Sequence, residues 1–247
     1  LRSEDSASRL TRYNSRNPEG APFMSDQPTP AVQDYLKAIH LLGGADRTVS
    51  PAEIAARLAV RAPSVTGMLK RLAEAGYIDY APGAGAALTD LGRAEARRVI
   101  RRHRLVELFL HRVLGLDWSE VDAEAEALEH AISPRLEQAL ARHLGEPVED
   151  PHGHPIPTAD GQLSSRDFRR LNEFRAGQWV LIREAQDDNP ARLRRWREQG
   201  LTPGARVLVK GFQELDDLFE LQVGDRVIRL GSEGLVGLRG EPVEAPG

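Results

Sequence analysis

Residues 122–135, DAEAEALEHAISPR, contain several acidic residues and one histidine at helical spacing. Together these side chains could bind a divalent cation. If this stretch is a helix, Glu126, Glu129 and His130 lie at positions i, i+3 and i+4 and share one face. Carboxylate and imidazole groups converging on one patch are suitable ligands for a divalent metal ion. The ordinary alternative is a solvated acidic helix face, which is the commoner meaning of glutamates on a helix.

The other face of this predicted helix is apolar, which indicates that the helix packs against the rest of the protein. Its apolar residues are Ala125, Leu128, Ala131 and Ile132. Acids and a histidine beside a packed face need partners, because unpaired polar groups are costly to bury. Further ligands must therefore come from other segments of the chain.

The composition restricts what could complete such a site. The 247-residue chain contains no cysteine, which excludes disulfides, thiolate zinc sites and cysteine nucleophiles and leaves oxygen and imidazole ligands. Its formal net charge of −4 gives no overall basic signal, so a nucleic-acid surface would have to be local. No apolar run is long enough to span a bilayer, and the amino-terminal stretch lacks a signal-peptide core. We therefore expect a cytoplasmic protein without a membrane partner.

The first half of the chain has the pattern of a DNA-binding unit. Residues 30–42 show apolar side chains at helical spacing, and Asp34 is the acidic residue beside that stripe. Residues Ser50–Glu53 have the form of a capping box that opens a second helix, and a third helix follows a tight turn. Residues 77–80 and 87–89 then alternate as two short strands around a glycine-rich turn. This order predicts a winged helix-turn-helix.

The exposed side of the third helix carries small polar and basic residues. Such side chains contact phosphates and base edges in a major groove. The candidates for DNA contact are Arg61, Pro63, Ser64, Thr66, Lys70 and Arg71. Short alanine-rich helices joined by tight turns also occur in bundles that bind no nucleic acid, and this polar face is what favours DNA binding.

Three later segments complete the pattern. A helix predicted over about 93–114 carries His103 and Glu107 one turn apart, which could meet as ligands or form a solvated face. Residues His152–His154 lie between prolines, which favours a rigid loop with a packing role over a metal site. After polar, linker-like residues 158–173, several short strands with glycine turns predict a small β-barrel.

Taken in order, these segments resemble the diphtheria toxin repressor family of metal-dependent transcription regulators, and more closely its manganese-responsive branch. The resemblance runs through PAVQDYLKAIHLL, PAEIAARLAVRAPSVTGMLKRLAEAGYI, LTDLGRAEA, IRRHRLVELFL, EAEALEH and HGHPIP. It implies a mainly α fold with a winged helix-turn-helix DNA-binding domain, a helical dimerisation domain and a C-terminal SH3-like β-barrel. The implied function is non-enzymatic: a homodimer that controls metal-homeostasis genes by binding an inverted-repeat operator in double-stranded DNA when metal is bound.

Four segments follow from the resemblance and the composition. Residues 1–23 are polar and lack apolar periodicity, so we interpret them as a disordered or upstream-encoded extension. Residues 24–93 are predicted to form the DNA-binding domain and residues 94–164 the metal-binding and dimerisation domain. Residues 165–247 are predicted to form the SH3-like domain, of the kind found in iron-transport A proteins.

The resemblance also implies two metal sites. The primary site falls by position on Asp34, Glu126, Glu129 and His130. The second site falls on His103, Glu107 and Asp122, with Glu184 and either Asp187 or Gln186 supplied by the barrel. Two positions depart from the family: Asp122 stands where iron-responsive relatives have histidine, and Lys37 stands where binuclear manganese regulators have another carboxylate. A tight dinuclear cluster of that type is therefore not expected.

The ligand types favour one metal over others. Where iron-responsive relatives use Met and Cys, this chain has Asp34 and Glu126, and such oxygen donors favour Mn²⁺ over softer ions. An Fe²⁺-responsive regulator, or one that uses another divalent transition metal, is the alternative. Two rivals lie outside this account: a metal-independent winged-helix regulator with an organic effector, and a metal-dependent hydrolase built on His152 and His154. The hydrolase has no candidate nucleophile beside these histidines.

Overall fold

A computed structural model of the chain describes residues 28–186 and 189–245. The interpretation of residues 1–23, and the assignment of Asp187 to a metal site, therefore lie outside the described residues. Within the described part, no helix is long and apolar enough to cross a membrane.

The first part of the chain forms the predicted winged helix-turn-helix. Its elements are helices α1 (Pro30–Leu41), α2 (Pro51–Arg57) and α3 (Ala62–Glu74) and the antiparallel strands β1 (Ile78–Ala81) and β2 (Gly85–Leu88). The predicted capping box is confirmed: the Ser50 hydroxyl accepts from the Glu53 amide, and the Glu53 carboxylate accepts from the Ser50 amide. Leu36 and Ile39 of α1 and Leu69 of α3 are fully buried in one core.

The helical part follows without a break. Its helices are α4 (Asp90–Arg112), α5 (Val121–Leu128) and α6 (Pro134–His143). The start of α4 packs against the turn between α3 and β1. There, a Cβ on Gly92 would lie 2.0 Å from the Tyr77 carbonyl oxygen. Only glycine permits this close approach.

The helix predicted to carry Glu126, Glu129 and His130 on one face ends earlier than that prediction requires, whereas a separate helix from Pro134, also predicted, is confirmed. Helix α5 ends at Leu128, and Ser133 caps α6 with its hydroxyl accepting from the Leu136 amide. Because a residue before proline avoids helical backbone angles, Pro134 separates the two helices. Glu129 and His130 consequently lie in the turn after α5. The predicted apolar face is only partly buried, since Leu128 is 41% exposed.

The C-terminal part is the predicted small β domain. Its elements are β3 (Arg169–Arg170), β4 (Trp179–Ala185), α7 (Pro190–Gln199), β5 (Arg206–Gln213), β6 (Leu218–Val223), β7 (Arg226–Gly231) and β8 (Leu238–Val243). The strands form an antiparallel sheet in the order β3-β8-β4-β5-β6-β7. Strands β3 and β8 were not predicted, and β3 interrupts the segment expected to be a linker.

The β domain packs against the helical part through the loop that contains His152 and His154. The Ala185 amide of β4 donates to the His152 carbonyl oxygen at 3.0 Å, and Trp118 is buried in the core of the sheet. A Cβ on Gly153 would lie 1.9 Å from the Arg183 carbonyl oxygen, so glycine is required between the two histidines. This loop therefore has the packing role that its prolines predicted.

Candidate metal centre

Asp34 on α1 faces the turn that follows α5. His130 Nε2 lies 2.8 Å from Asp34 Oδ1, and His130 Nδ1 lies 2.8 Å from Gln33 Oε1. Ligand atoms of Asp34, Glu129 and His130, the primary cluster, all lie within 4.8 Å of one another, close enough to share one ion. Burial raises the pKa of Asp34 above its usual value; His130 opposes this, and the charges of Glu126 and Glu129 add to it.

Glu129 is fully buried, and its two oxygens have different neighbours. Oε2 lies 2.7 Å from Lys37 Nζ and 2.6 Å from His103 Nδ1. Oε1 has no hydrogen-bond partner among the described residues and faces His130 Nε2 at 3.6 Å. Burial alone would raise the pKa of Glu129, but His103 and Lys37 lower it below its usual value. The residues therefore fit a metal ion, because an unpartnered buried carboxylate oxygen costs about 1–3 kcal/mol that a cation would offset.

Glu126, the fourth predicted primary ligand, points to a different neighbour. Its Oε2 lies 2.6 Å from Lys37 Nζ and 3.8 Å from His103 Nδ1. Glu126, His103 and Glu129 form another group whose ligand atoms lie within 4.8 Å of one another. We call this group, with Lys37 at its centre, the lysine cluster. Glu129 belongs to both the lysine cluster and the primary cluster, and it therefore connects Glu126 to the primary cluster.

Three predicted second-site residues also lie together. His103 Nε2 lies 3.3 Å from Asp122 Oδ1 and 3.6 Å from Glu107 Oε1, and these three residues form the second cluster. Burial lowers the pKa of His103, but the charge of Glu107 and hydrogen bonds to Asp122, Glu107 and Glu129 raise it well above its usual value. Because metal binds the neutral imidazole, metal binding at this cluster depends on pH.

The β domain contributes less to the described second cluster than the resemblance implied. Glu184 belongs to none of the metal-capable groups among residues 28–186 and 189–245, although its charge acts on Arg104. Gln186 borders a cavity of about 550 Å³ that is also lined by Asp34, His103 and Glu107. Asp34 of the primary cluster and all three residues of the second cluster therefore line one cavity between the DNA-binding, helical and β parts.

A further group contains two histidines that the sequence analysis weighed and set aside as metal ligands, together with Asp150. Ligand atoms of Asp150, His152 and His154 lie within 4.8 Å of one another. Asp150 Oδ1 accepts from the amides of both histidines, and the His152 ring stacks on Trp118 with its Nε2 2.8 Å from the Trp118 carbonyl oxygen. His152 Nδ1 then faces Glu107 Oε1 at 3.5 Å. The paired histidines were the signal, and the flanking prolines led us to set it aside.

The face of α3 that is predicted to contact DNA lies on the protein surface. Arg61, Pro63, Ser64, Lys70 and Arg71 are exposed, whereas Thr66 is half-buried. Val65, Leu69 and Leu72 are buried on the opposite side. The helix therefore presents its polar and basic side chains outward, as groove contact requires.

Each of the three parts of the chain matches a known family model. Residues 28–86 match the iron dependent repressor N-terminal DNA binding domain, and residues 89–158 match the iron dependent repressor metal binding and dimerisation domain. Residues 169–234 match the FeoA domain. Over 189 residues the chain is 35% identical to the iron-dependent repressor IdeR of Mycobacterium leprae, covering 71% of this chain and 82% of the relative. The chain belongs to the iron-dependent repressor, or diphtheria toxin repressor, family.

Solved structures of family members agree with this assignment. A manganese-dependent transcriptional repressor in complex with manganese matches with a TM-score of 0.79 and 35% identity, covering 86% of this chain and all of that chain. IdeR of T. acidophilum matches with a TM-score of 0.70 and 25% identity, covering 85% of this chain and 97% of that one. The protein is thus a metal-dependent transcriptional repressor of a non-enzymatic, DNA-binding family.

Proposed function

We propose that this repressor responds to Mn²⁺ and that Asp34, Glu126, Glu129 and His130 are the ligands of the activating ion. The observation that carries the proposal is the buried Glu129 Oε1, which lacks a hydrogen-bond partner among the described residues and lies beside His130. Three carboxylates and one imidazole form a hard donor set, which suits Mn²⁺ better than a site with thioether or thiolate ligands. An Fe²⁺ response is the alternative that the iron-dependent relatives favour.

The proposed regulation follows from where these ligands lie in the chain. Asp34 belongs to α1 of the DNA-binding part, whereas Glu129 and His130 lie in the turn after α5. A bound ion would supply positive charge between the two parts and hold them in one arrangement. Without it, Asp34 and Glu129 Oε1 lack a shared cation, so the two parts are joined more loosely.

We further propose a homodimer that places two α3 helices on an inverted-repeat operator, with Arg61, Pro63, Ser64, Thr66, Lys70 and Arg71 as contact residues. Large apolar side chains that are exposed within residues 89–158 support self-association. They are Leu91, Val113, Leu114, Leu128, Leu136 and Val148. The domain boundaries proposed at 93/94 and 164/165 place most of α4 in the dimerising part.

The second cluster is proposed to bind another ion through His103, Glu107 and Asp122. Glu184 and either Asp187 or Gln186 are the proposed contributions of the β domain. The shared cavity supports this proposal, because Gln186 lines it together with His103, Glu107 and Asp122.

The direct test is binding to DNA from the chain's own promoter region under anaerobic conditions. We expect negligible binding without metal and half-maximal binding at a lower free concentration of Mn²⁺ than of Fe²⁺, measured by fluorescence anisotropy. Activation by Fe²⁺ at an equal or lower concentration would contradict the choice of Mn²⁺. Equal binding with and without either metal would contradict metal-dependent activation of this chain.

A further inference from the structure

The two ring nitrogens of His130 face two different side chains of α1. Nε2 lies 2.8 Å from Asp34 Oδ1, inside the primary cluster, whereas Nδ1 lies 2.8 Å from Gln33 Oε1. A neutral imidazole carries a hydrogen on one nitrogen and can bind a metal only through the other. The hydrogen bond between His130 Nδ1 and Gln33 therefore bears on which nitrogen is available to an ion.

Gln33 is held in one orientation by Glu95 of α4. Its amide Nε2 donates to Glu95 Oε1 at 2.9 Å, and both residues are buried. Because a carboxylate only accepts hydrogen bonds, the amide nitrogen must face Glu95 and the amide oxygen must face His130. That oxygen has no hydrogen to donate, so the hydrogen of its bond to His130 belongs to Nδ1. Nε2, beside Asp34, is then the nitrogen left for an ion.

Glu95 is fixed in turn by a residue one turn farther along α4. Arg98 Nη1 donates to Glu95 Oε2 at 2.8 Å, so the two oxygens of the Glu95 carboxylate have different partners. Four side chains thus form one chain of hydrogen bonds, in the order Arg98, Glu95, Gln33 and His130. This hydrogen-bond chain joins α4 to α1, and α1 to the turn after α5.

The hydrogen-bond chain connects a negative charge to His130 and keeps that charge outside the metal centre. Histidines that bind metals commonly donate their second N–H to a carboxylate, which orients the ring and makes it a stronger ligand. A carboxylate placed directly at His130 Nδ1 would add to the acids already present at the centre, and like charges at close range repel. The Gln33 amide accepts from the imidazole and donates to Glu95, so the charge stays one residue farther away.

We propose that Gln33 is a positioning residue of the metal centre: it holds His130 with Nε2 toward Asp34, and Glu95 fixes Gln33 in the orientation that this requires. The proposal rests on the proposed function, because Asp34 and His130 are proposed ligands. Gln33 then influences the affinity for metal without contacting the ion. Removing an outer hydrogen-bond partner of a ligating histidine typically weakens metal binding about 10- to 100-fold.

The first measurement is the affinity for Mn²⁺, obtained from the electron paramagnetic resonance signal of free Mn²⁺ during titration of each protein. Gln33→Met keeps a side chain of similar length but has no amide, and it should bind Mn²⁺ about tenfold more weakly than the parent. The exchanged pair Gln33→Glu/Glu95→Gln again provides an acceptor for His130 Nδ1 and a donor between the two helices, so it should recover most of that loss. Gln213→Met, at an exposed position of β5, is the matched control and should bind like the parent.

The second measurement is proton NMR of the same proteins loaded with Co²⁺, a paramagnetic ion that shifts the protons of a bound imidazole away from all others. The Nδ1–H resonance of His130 is the shifted, solvent-exchangeable signal that is absent from His130→Gln. It should exchange slowly in the parent and in the exchanged pair. In Gln33→Met it should exchange faster or disappear, because no acceptor protects it. A purely structural role of Gln33 would not produce this change.

A Gln33→Met protein that binds Mn²⁺ as tightly as the parent would overturn the proposal, as would a folded exchanged pair that recovers none of the loss. If the exchanged pair does not fold, the Nδ1–H signal decides, and an unchanged exchange rate in Gln33→Met would overturn the proposal. DNA binding by the parent separates this proposal from the proposed function. Affinities and spectra that follow the Gln33 prediction, with no effect of Mn²⁺ on DNA binding, would support the role of Gln33 and contradict the proposed function.

Discussion

Glu126 is the proposed ligand whose chemistry bears most directly on the choice of metal. A thiolate is softer than a carboxylate and binds Fe²⁺ or Co²⁺ relatively better than Mn²⁺. We predict that Glu126→Cys keeps metal-dependent DNA binding but loses more response to Mn²⁺ than to Fe²⁺ or Co²⁺, measured by anaerobic titration with each metal. Glu124→Cys, on the exposed side of the same helix, is the control. A variant that keeps the parent's metal ranking would show that Glu126 does not set the preference.

His40, in the last turn of α1, predicts a pH dependence of stability. Burial, aided by the charges of Arg97 and Arg104, lowers its pKa from 6.5 to about 4. Between these values the unfolded chain binds a proton that the folded chain does not, so stability decreases as pH falls from about 6.5 to about 4. We predict a loss on the order of 2 kcal/mol after allowance for partial exposure.

Urea unfolding of the metal-free protein at pH 7 and pH 4.5 measures this effect. In His40→Gln the part of the loss that is due to the imidazole should disappear, although carboxylates elsewhere still titrate. Equal losses in the parent and in His40→Gln would show that His40 is not the cause.

At the scale of elements, α3 carries the proposed contact with DNA. Lys70 and Arg71 are exposed on it, and a contact to phosphate displaces about one counterion. Lys70→Ala and Arg71→Ala should each weaken operator binding and reduce the slope of log affinity against log salt by about one. Arg142→Ala, an exposed cation on α6, should leave both unchanged. Unchanged affinity and slope in both α3 variants would remove this helix from the interface.

Elements with strong local signals were the ones predicted well. Periodicity and the Ser50 capping box were enough to predict α1 to α4, because those helices bury one continuous face. The predicted helical face of Glu126, Glu129 and His130 failed because α5 ends at Leu128, and the acidic spacing carried no signal for that end. Strand β8 was missed because its glycine and proline weaken the strand pattern, yet a Cβ on Gly240 would lie 2.4 Å from the Leu181 carbonyl oxygen.

The candidate site was only partly predictable for a related reason. The spacing of Glu126, Glu129 and His130 pointed to a metal, but the spacing of residues on one helix cannot show what another helix contributes. Asp34 was assigned through the family resemblance, and the structure brings it to His130. That the ammonium of Lys37 lies among these ligands depends on the packing of α1 against α4 and α5, which local sequence does not encode.

At the scale of the whole molecule, the proposed dimer should depend on exposed apolar side chains of the helical part. Leu114 is 56% exposed and Leu128 is 41% exposed. Burying a leucine contributes about 1.5–3 kcal/mol, and an interface glutamate would have to be desolvated. We predict that Leu114→Glu and Leu128→Glu shift the protein to monomers in analytical ultracentrifugation and weaken operator binding at least tenfold. Val227→Glu, at an exposed position of the β domain, should remain dimeric, and dimeric Leu114→Glu and Leu128→Glu would contradict the proposed interface.

The central claim is that metal controls DNA binding by joining Asp34 of α1 to Glu129 and His130 after α5. The most direct measurement is the affinity for an operator selected from random DNA, with and without saturating Mn²⁺, for the parent, Asp34→Ala and the exposed-site control Asp46→Ala. We predict that Mn²⁺ strengthens binding on the order of 100-fold in the parent and the control, and less than tenfold in Asp34→Ala. An Asp34→Ala protein that gains as much from Mn²⁺ as the parent would contradict the claim.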